Sequence, residues 1–274
     1  MSAPSFEGIE VAVDGARGEL CLNRPEKLNA ISTRMLRELA GAAAWFDAQP
    51  DLKVVVVSGR GRAFTGGADV SGFAESESGV PPPVSREDAD AGRRMAEALE
   101  RMAAVTVVKL HGACVGGGVV LAGACDIRVA AADATFLIPE VDLGIPLAWG
   151  GIPRLVRDIG PLLTKELVMT CRPFSAAEAL EAGFLTRVVG AEGLERSVEE
   201  LAASLASKPK LALLATKRHV NAVADEMVGT MRSWADADGL LAGLADPEGN
   251  ESALRYLAQM DDKRSNGWAP SPRR

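Results

Sequence analysis

One carboxylate and two glycine-rich turns hold the chemistry that this sequence can perform. The turns are Gly66-Gly67-Ala68-Asp69 and Gly116-Gly117-Gly118. Each follows a β-branched run, Val54-Val55-Val56-Val57 in the first case and Val105-Thr106-Val107-Val108 in the second. Glycine lets backbone N–H groups approach a ligand closely and admits positive φ. A single turn of this kind fits an anion cradle or a tight packing turn. Two of them after buried strands can aim a pair of N–H donors at one oxygen, the geometry that stabilises a developing oxyanion.

Such a site needs an acid or base, and Glu140 is the candidate. It follows Phe136-Leu137-Ile138-Pro139 and precedes the glycine-containing loop Val141-Asp142-Leu143-Gly144. Apolar surroundings raise a carboxyl pKa, so the group could take and return a proton near neutral pH. A surface glutamate at a strand exit fits the same context, and the residues alone leave both readings open. Asp142, two residues further on, is read as a structural hydrogen-bonding group.

Other chemistries fit poorly. Gly112-Ala113-Cys114-Val115-Gly116-Gly117-Gly118 has the G-x-x-x-G-x-G spacing of short-chain dehydrogenases, but it begins beyond residue 110 instead of near the start. Those enzymes also need a Tyr-x-x-x-Lys pair, and the sole tyrosine, Tyr256, is followed four residues later by Met260. Neither G-x-x-x-x-G-K-[ST] nor G-x-S-x-G occurs, which argues against a nucleoside-triphosphate loop and a serine hydrolase. The two histidines, His111 and His219, are too far apart for an H-E-x-x-H metal site. Cys21, Cys114, Cys125 and Cys171 lack C-x-x-C spacing and fit small core residues in a reducing cytoplasm. No metal and no resident cofactor is expected.

The bulk properties bound the rest. With 274 residues, the chain can bury one large core, with or without a small appendage. A net charge of −7 offers no basic stripe for nucleic acid. No apolar run approaches the roughly 20 residues that cross a bilayer. Met1 to Glu10 has neither the basic nor the apolar part of a secretory signal, so a cytoplasmic, membrane-free protein is expected.

The elements that must position these groups are legible as a pattern. Alternation at Ile9, Val11 and Val13, the Asp14-Gly15 turn and Glu19-Leu20-Cys21-Leu22 predict a hairpin. Ser32 caps a helix running to about Ala48, and the Val54 run is a buried strand. Residues Glu75 to Ser85, with three consecutive prolines, predict a flexible loop near the site. A helix over Arg86 to Ala104, a strand over Val105 to Leu110 and a helix over Gly117 to Ala124 follow. Strands are then predicted at Asp126 to Val129 and Thr135 to Leu137. Beyond Gly151 helices dominate: 152–159, 162–170, 175–182, 194–206, 209–222, 225–244 and 247–260, interrupted by a short strand at Arg187-Val188-Val189. Gly267 to Arg274 reads as a frayed end.

Taken in order, these residues resemble the crotonase, or enoyl-CoA hydratase/isomerase, superfamily. The resemblance runs through Asn23-Arg24-Pro25-Glu26-Lys27-Leu28-Asn29-Ala30, Ala63-Phe64-Thr65-Gly66-Gly67-Ala68-Asp69 and His111-Gly112-Ala113-Cys114-Val115-Gly116-Gly117-Gly118. It continues through Cys125-Asp126-Ile127-Arg128, Pro139-Glu140 and Ala176-Ala177-Glu178-Ala179. It implies an α/β fold: a spiral of ββα units over 1–190, then a helical region over 191–274 for trimerisation and site closure. Homotrimers or homohexamers are implied as well.

The implied partner is an acyl-CoA thioester, with coenzyme A entering as part of the substrate. Backbone N–H groups of Ala68 and Gly117 would hold the thioester oxygen, and Glu140 would be the catalytic carboxylate. Lys27, Leu28 and Ala30 match the segment that lines the coenzyme, and Lys27 would either meet a phosphate or stand in solvent. Gly66, Gly67, Asp69, Val70, Gly116, Val120, Pro139 and Gly144 complete the implied substrate site. Family hydratases carry a further glutamate three positions after the middle glycine of the second turn, and Val120 stands there. Dienoyl-CoA isomerases place an acid eight residues after the Glu140 position, where this chain has Ala148.

Losing a general acid–base group costs about 10²–10⁴-fold, which disfavours hydration. Moving a double bond from the 3,4 to the 2,3 position needs one base, so 3-enoyl-CoA isomerisation is expected. A 2-enoyl-CoA hydratase whose second acid comes from elsewhere, for example the Glu75–Ser85 loop, and a non-catalytic acyl-CoA binder, are the alternatives.

Overall fold

In the computed structural model, residues 3–70 and 84–265 are described. The proline-rich loop up to residue 83 and the end beyond 265, both singled out from the sequence, lie outside the described residues.

The Val54 run is the centre of the architecture. It forms β3 (Val54–Gly59), flanked by β2 (Arg17–Leu22) and β4 (Val105–Leu110) in parallel. The sheet extends through β1 (Ile9–Asp14), antiparallel to β2, and on the other side through β6 (Ile127–Ala131) and β9 (Arg187–Val189). Its order is β1-β2-β3-β4-β6-β9. Strands covered on both faces need apolar residues at every position, which is why four consecutive valines occur here. Val55 and Val57 join the main core, whereas Val54 and Val56 join Val107, Val129, Leu194, Val198 and Ala202 on the opposite face.

Helices cover both faces. Ser32 caps α1 (Thr33–Asp47) by accepting from the Met35 N–H at 3.2 Å, and Met35, Leu36, Leu39, Ala43 and Phe46 are buried. Next come α2 (Arg86–Arg101), α3 (Gly117–Gly123), α4 (Gly151–Thr170), α5 (Ala176–Glu181), α6 (Leu194–Ala206), α7 (Lys210–Met227), α8 (Asp236–Ala245) and α9 (Pro247–Ser265). Leu194, Val198 and Ala202 of α6 supply the second core. A small second sheet, β5 (Ala113–Val115), β7 (Thr135–Leu137) and β8 (Phe174–Ser175), stands beside the first. Phe136 anchors it, stacked on Phe174 and edge-on to Phe184. The result is the expected mixed α/β fold with a mostly parallel sheet.

Some predicted boundaries need correction. The helix expected over 225–244 is broken: α7 ends at Met227, Val228 and Gly229 turn to extended backbone, and a 3-10 turn (Thr230–Ser233) precedes α8. Thr230 and Ser233 are buried, so packing sets this break. Strand β6 starts at Ile127, because the Asp126 carboxylate accepts from the N–H and hydroxyl of Thr106 at 2.7 and 2.9 Å. The helices expected over 152–159 and 162–170 form one element, interrupted at Gly160 (φ 76°, ψ 165°) before Pro161. All four cysteines are free thiols.

Candidate active site

The site grows from the two glycine turns, and the first is fastened by a buried asparagine. Asn29 is wholly buried, and its side-chain amide donates to the carbonyls of Arg60 (2.8 Å), Ala63 (3.0 Å) and Phe64 (3.0 Å). Its side-chain oxygen accepts from the Arg24 N–H at 2.9 Å. Thr65 donates its hydroxyl to the Asn29 carbonyl at 2.7 Å and accepts from the Gly67 N–H at 3.1 Å. The Gly66 N–H donates to Leu28 O (2.7 Å), the Asp69 N–H to Ile31 O (3.0 Å), and Ile31 donates to Gly67 O (2.8 Å). Gly66, Gly67 and Asp69 are thus tied down. The N–H of Ala68 donates to no acceptor among the described residues, and Ala68 is exposed.

The second turn opens α3. Gly116 has φ 52° and ψ −116°, and Gly117 is the first helical residue, so its N–H has no acceptor within the helix. Each of the three glycines abuts a different side chain. A Cβ on Gly116 would fall 2.6 Å from Glu140 Oε1, one on Gly117 2.1 Å from Trp149, and one on Gly118 2.2 Å from the Thr65 methyl. Any larger residue would displace one of these neighbours.

Glu140 sits just past the end of β7. Backbone bonds from Leu143 to Pro139 O (3.0 Å), Gly144 to Val141 O (3.0 Å) and Ile145 to Glu140 O (2.9 Å) coil the segment into a tight turn. The carboxyl group is buried, and Oε2 has no hydrogen-bond partner among the described residues. Burial raises its pKa to about 7, against a smaller opposing effect from its own backbone N–H. The surface-glutamate reading therefore falls. The group is poised to change protonation state near neutral pH.

A cleft of about 380 Å³ opens in front of it. Of the residues singled out from the sequence, Leu28, Gly66, Gly67, Ala68, Val70, Gly116, Pro139 and Glu140 line this cleft. Lys27, Ala30, Asp69, Gly117, Val120 and Gly144 do not. Lys27 is exposed at the end of a 3-10 turn. Ala30 and Asp69 serve the scaffold, because Arg24 donates to Ala30 O (2.6 Å) and pairs with Asp69 (3.0 Å). Gly144 (φ 71°) lies against Gly249. Gly117 directly follows the lining residue Gly116 and is itself buried, as is Val120. A Cβ on Gly151 would fall 2.8 Å from Val120 Cγ2 and 3.0 Å from Leu147 Cδ2, so the space beside Val120 is filled by apolar atoms. Asp142 is exposed, and its backbone carbonyl accepts from Ser252.

Sequence reasoning missed two parts of the cleft. Arg62, Asp133 and Thr135 line it, with Arg62 exposed as a cation beside the apolar wall. Tyr256, Leu257 and Met260 of α9 close another side. Their i, i+1, i+4 spacing marks a helix face, but nothing local says what that face covers. A larger crevice of about 640 Å³ lies under α7, away from Glu140. Its Lys217 pairs with Asp126 at 2.7 Å and donates to Ala104 O at 2.9 Å. No group of three or more His, Cys, Asp or Glu side chains among the described residues could hold a metal ion.

Comparison with known proteins is consistent with this geometry. The family model for enoyl-CoA hydratase/isomerase matches residues 17–262. A peroxisomal Δ(3,5)-Δ(2,4)-dienoyl-CoA isomerase of Arabidopsis thaliana is 34% identical over 234 residues, covering 79% of this chain and 82% of the relative. A crotonyl-CoA hydratase of Syntrophomonas wolfei is 31% identical over 252 residues, covering 91% and 95%. Among solved structures, an enoyl-CoA hydratase from Mycobacterium avium subsp. paratuberculosis superposes with a TM-score of 0.82 at 27% identity. That match covers 92% of this chain and 100% of the other.

Proposed function

This chain belongs to the enoyl-CoA hydratase/isomerase family, and from that premise we propose that it converts 3-enoyl-CoA to 2-enoyl-CoA with Glu140 as its single proton shuttle. One observation carries the choice of reaction. Glu140 is buried without a partner for Oε2 among the described residues, while the position of a second carboxylate is Val120, which with Leu147 packs against Gly151.

In this reading the Glu140 carboxylate removes a proton from carbon 2 of the acyl chain. The electron pair delocalises through the thioester carbonyl and the 3,4 double bond, giving a dienolate. The N–H groups of Ala68 and Gly117 hold the thioester oxygen as its negative charge grows, and one such donor is worth about 2.7–4 kcal/mol in the transition state. Glu140 then returns the proton to carbon 4, the double bond settles between carbons 2 and 3, and the carboxylate is regenerated. No water enters, and no second acid is needed. Arg62, exposed at the cleft, would meet a coenzyme phosphate in this reading.

The decisive assay supplies 3-enoyl-CoA to the purified protein beside Glu140→Gln. Loss of 2-enoyl-CoA formation in the variant is expected, and unchanged turnover would refute the assignment. Hydration of 2-enoyl-CoA is the second reading, favoured by the 31% identity to a crotonyl-CoA hydratase. Formation of 3-hydroxyacyl-CoA at a rate comparable to isomerisation would select it. Tight acyl-CoA binding with neither reaction would select a binding protein.

The proposal includes assembly into three or six copies, in the cytoplasm. Leu211, Met227, Met231 and Trp234, on α7 and the turn after it, are large apolar side chains exposed on one copy, surface that further copies would cover. A monomer mass by light scattering would refute the assembly.

A further inference from the structure

Trp149 stands beside the site in a conformation that bulky residues avoid. Its φ is 60°, and the next residue, Gly150, has φ 72°. Left-handed backbone at a large aromatic residue persists only where surroundings enforce it. The enforcing contacts converge on Gly150. Its N–H donates to Asp236 Oδ2 at 2.7 Å, from the first residue of α8. Its carbonyl accepts from Arg154 Nη1 at 3.0 Å, and Arg154 is itself paired with Glu100 at 2.5 Å. A two-residue turn is thus gripped from both sides by charged groups.

The turn delivers the indole into a slot with glycine on two sides. A Cβ on Gly92 of α2 would fall 2.1 Å from Trp149 Cγ, and one on Gly117 would fall 2.1 Å from Trp149 Cζ3. Both helices therefore lack side chains where the ring lies. Residues 116 to 118, being all glycine, have no side chains of their own to fix the peptide planes. The Gly116–Gly117 peptide plane is held through its carbonyl, which accepts from the N–H groups of Val119 (2.8 Å) and Val120 (3.3 Å), and by the indole packed against Gly117.

We propose that Trp149 is a positioning residue for the Gly117 N–H donor, held in its left-handed turn by Asp236 and by the Arg154–Glu100 pair. This rests on the reading that Gly117 donates to the thioester oxygen. Trp149 touches Gly117 and need not touch substrate. A group that aligns a donor acts on the charge that develops during reaction, so its loss lowers kcat while KM stays nearly constant.

The test follows enolate formation directly, without relying on the isomerase reaction. Acetoacetyl-CoA ionises at carbon 2, and its enolate absorbs in the near ultraviolet, so a working pair of donors raises that absorbance on binding. The wild-type protein is expected to show the signal. Trp149→Ala is expected to lose most of it, and to lower kcat about 10–100-fold with KM within about threefold. Trp149→Phe should restore much of both. Gly92→Ala, which meets the five-membered end of the indole whereas Gly117 meets the six-membered end, should reproduce the Trp149→Ala pattern in a protein that keeps its indole. Asp236→Ala should do so more weakly, and Asp236→Asn, which retains an acceptor for the Gly150 N–H, should behave as wild type. Folded Trp149→Ala and Gly92→Ala proteins with unchanged absorbance and kcat would overturn the positioning role alone. A wild-type protein that binds acetoacetyl-CoA without the signal would overturn the donor assignment, and this proposal with it.

Discussion

Glu100 and Glu140 are the same residue type, each 9% exposed, yet burial leads them to opposite electrostatic ends. Glu100 lies on α2, where both carboxyl oxygens are taken: one pairs with Arg154 at 2.5 Å and the other with Arg157. Burial alone would raise its pKa, but the two guanidinium groups reverse this and hold it below the usual carboxylate range. Glu140 has no cation beside it among the described residues, and burial raises its pKa to about 7. Depth does not separate a structural carboxylate from a reactive one. The partner does, and a reactive group is one the fold has left unpaired.

The comparison can be broken at four points, in descending order of expected effect. Glu140→Gln removes the exchangeable proton while keeping shape, so isomerase kcat should fall about 10²–10⁴-fold in a steady-state assay. Arg154→Met strands Glu100 with one cation and should destabilise the fold by about 3–5 kcal/mol, read from denaturant unfolding. Gly116→Ala puts a Cβ 2.6 Å from Glu140 Oε1 at a residue with φ 52°. A loss of about 1–3 kcal/mol in stability is expected there, together with lost activity. Wild-type stability and activity after that change would mean that the carboxylate is not confined where it appears.

The gentlest effect is the pH dependence. Glu140 is an acid whose folded pKa lies above its unfolded value, so the folded state binds more protons between about 4.5 and about 7. Its contribution to stability is fully present below the lower value, declines as pH rises through the window, and is level above it. The decline is at most about 3 kcal/mol. Glu140→Gln should flatten this part of the stability profile, whereas Glu100→Gln should not. In the wild type, activity should rise with pH around 7 as the base ionises.

Much of this was legible in the sequence, wherever a short stretch determines its own structure. Four valines between breakers are a strand covered on both faces, Ser32 caps the helix that follows it, and the glycine-rich segments after strands form tight turns. The rest depends on what arrives from a distance. Nothing near Asn29 indicates that its amide will bind three carbonyls between residues 60 and 64. The break at Gly229 was missed because the apolar period continues through it, and only the burial of Thr230 and Ser233 accounts for it. The role of Arg24 in fastening Asp69 and Ala30 is similarly nonlocal, which is why two residues assigned to the cleft belong to its frame.

Tyr256, Leu257 and Met260 also set the order in which competence appears during synthesis. Leu28, Ala68 and Glu140 leave the ribosome well before α9, so an unfinished chain can hold the reacting groups together only on an open face. Contacts spanning most of the chain form late and slowly. A nascent chain stalled before α9 therefore lacks one side of the cleft, and the site is complete only once α9 has emerged.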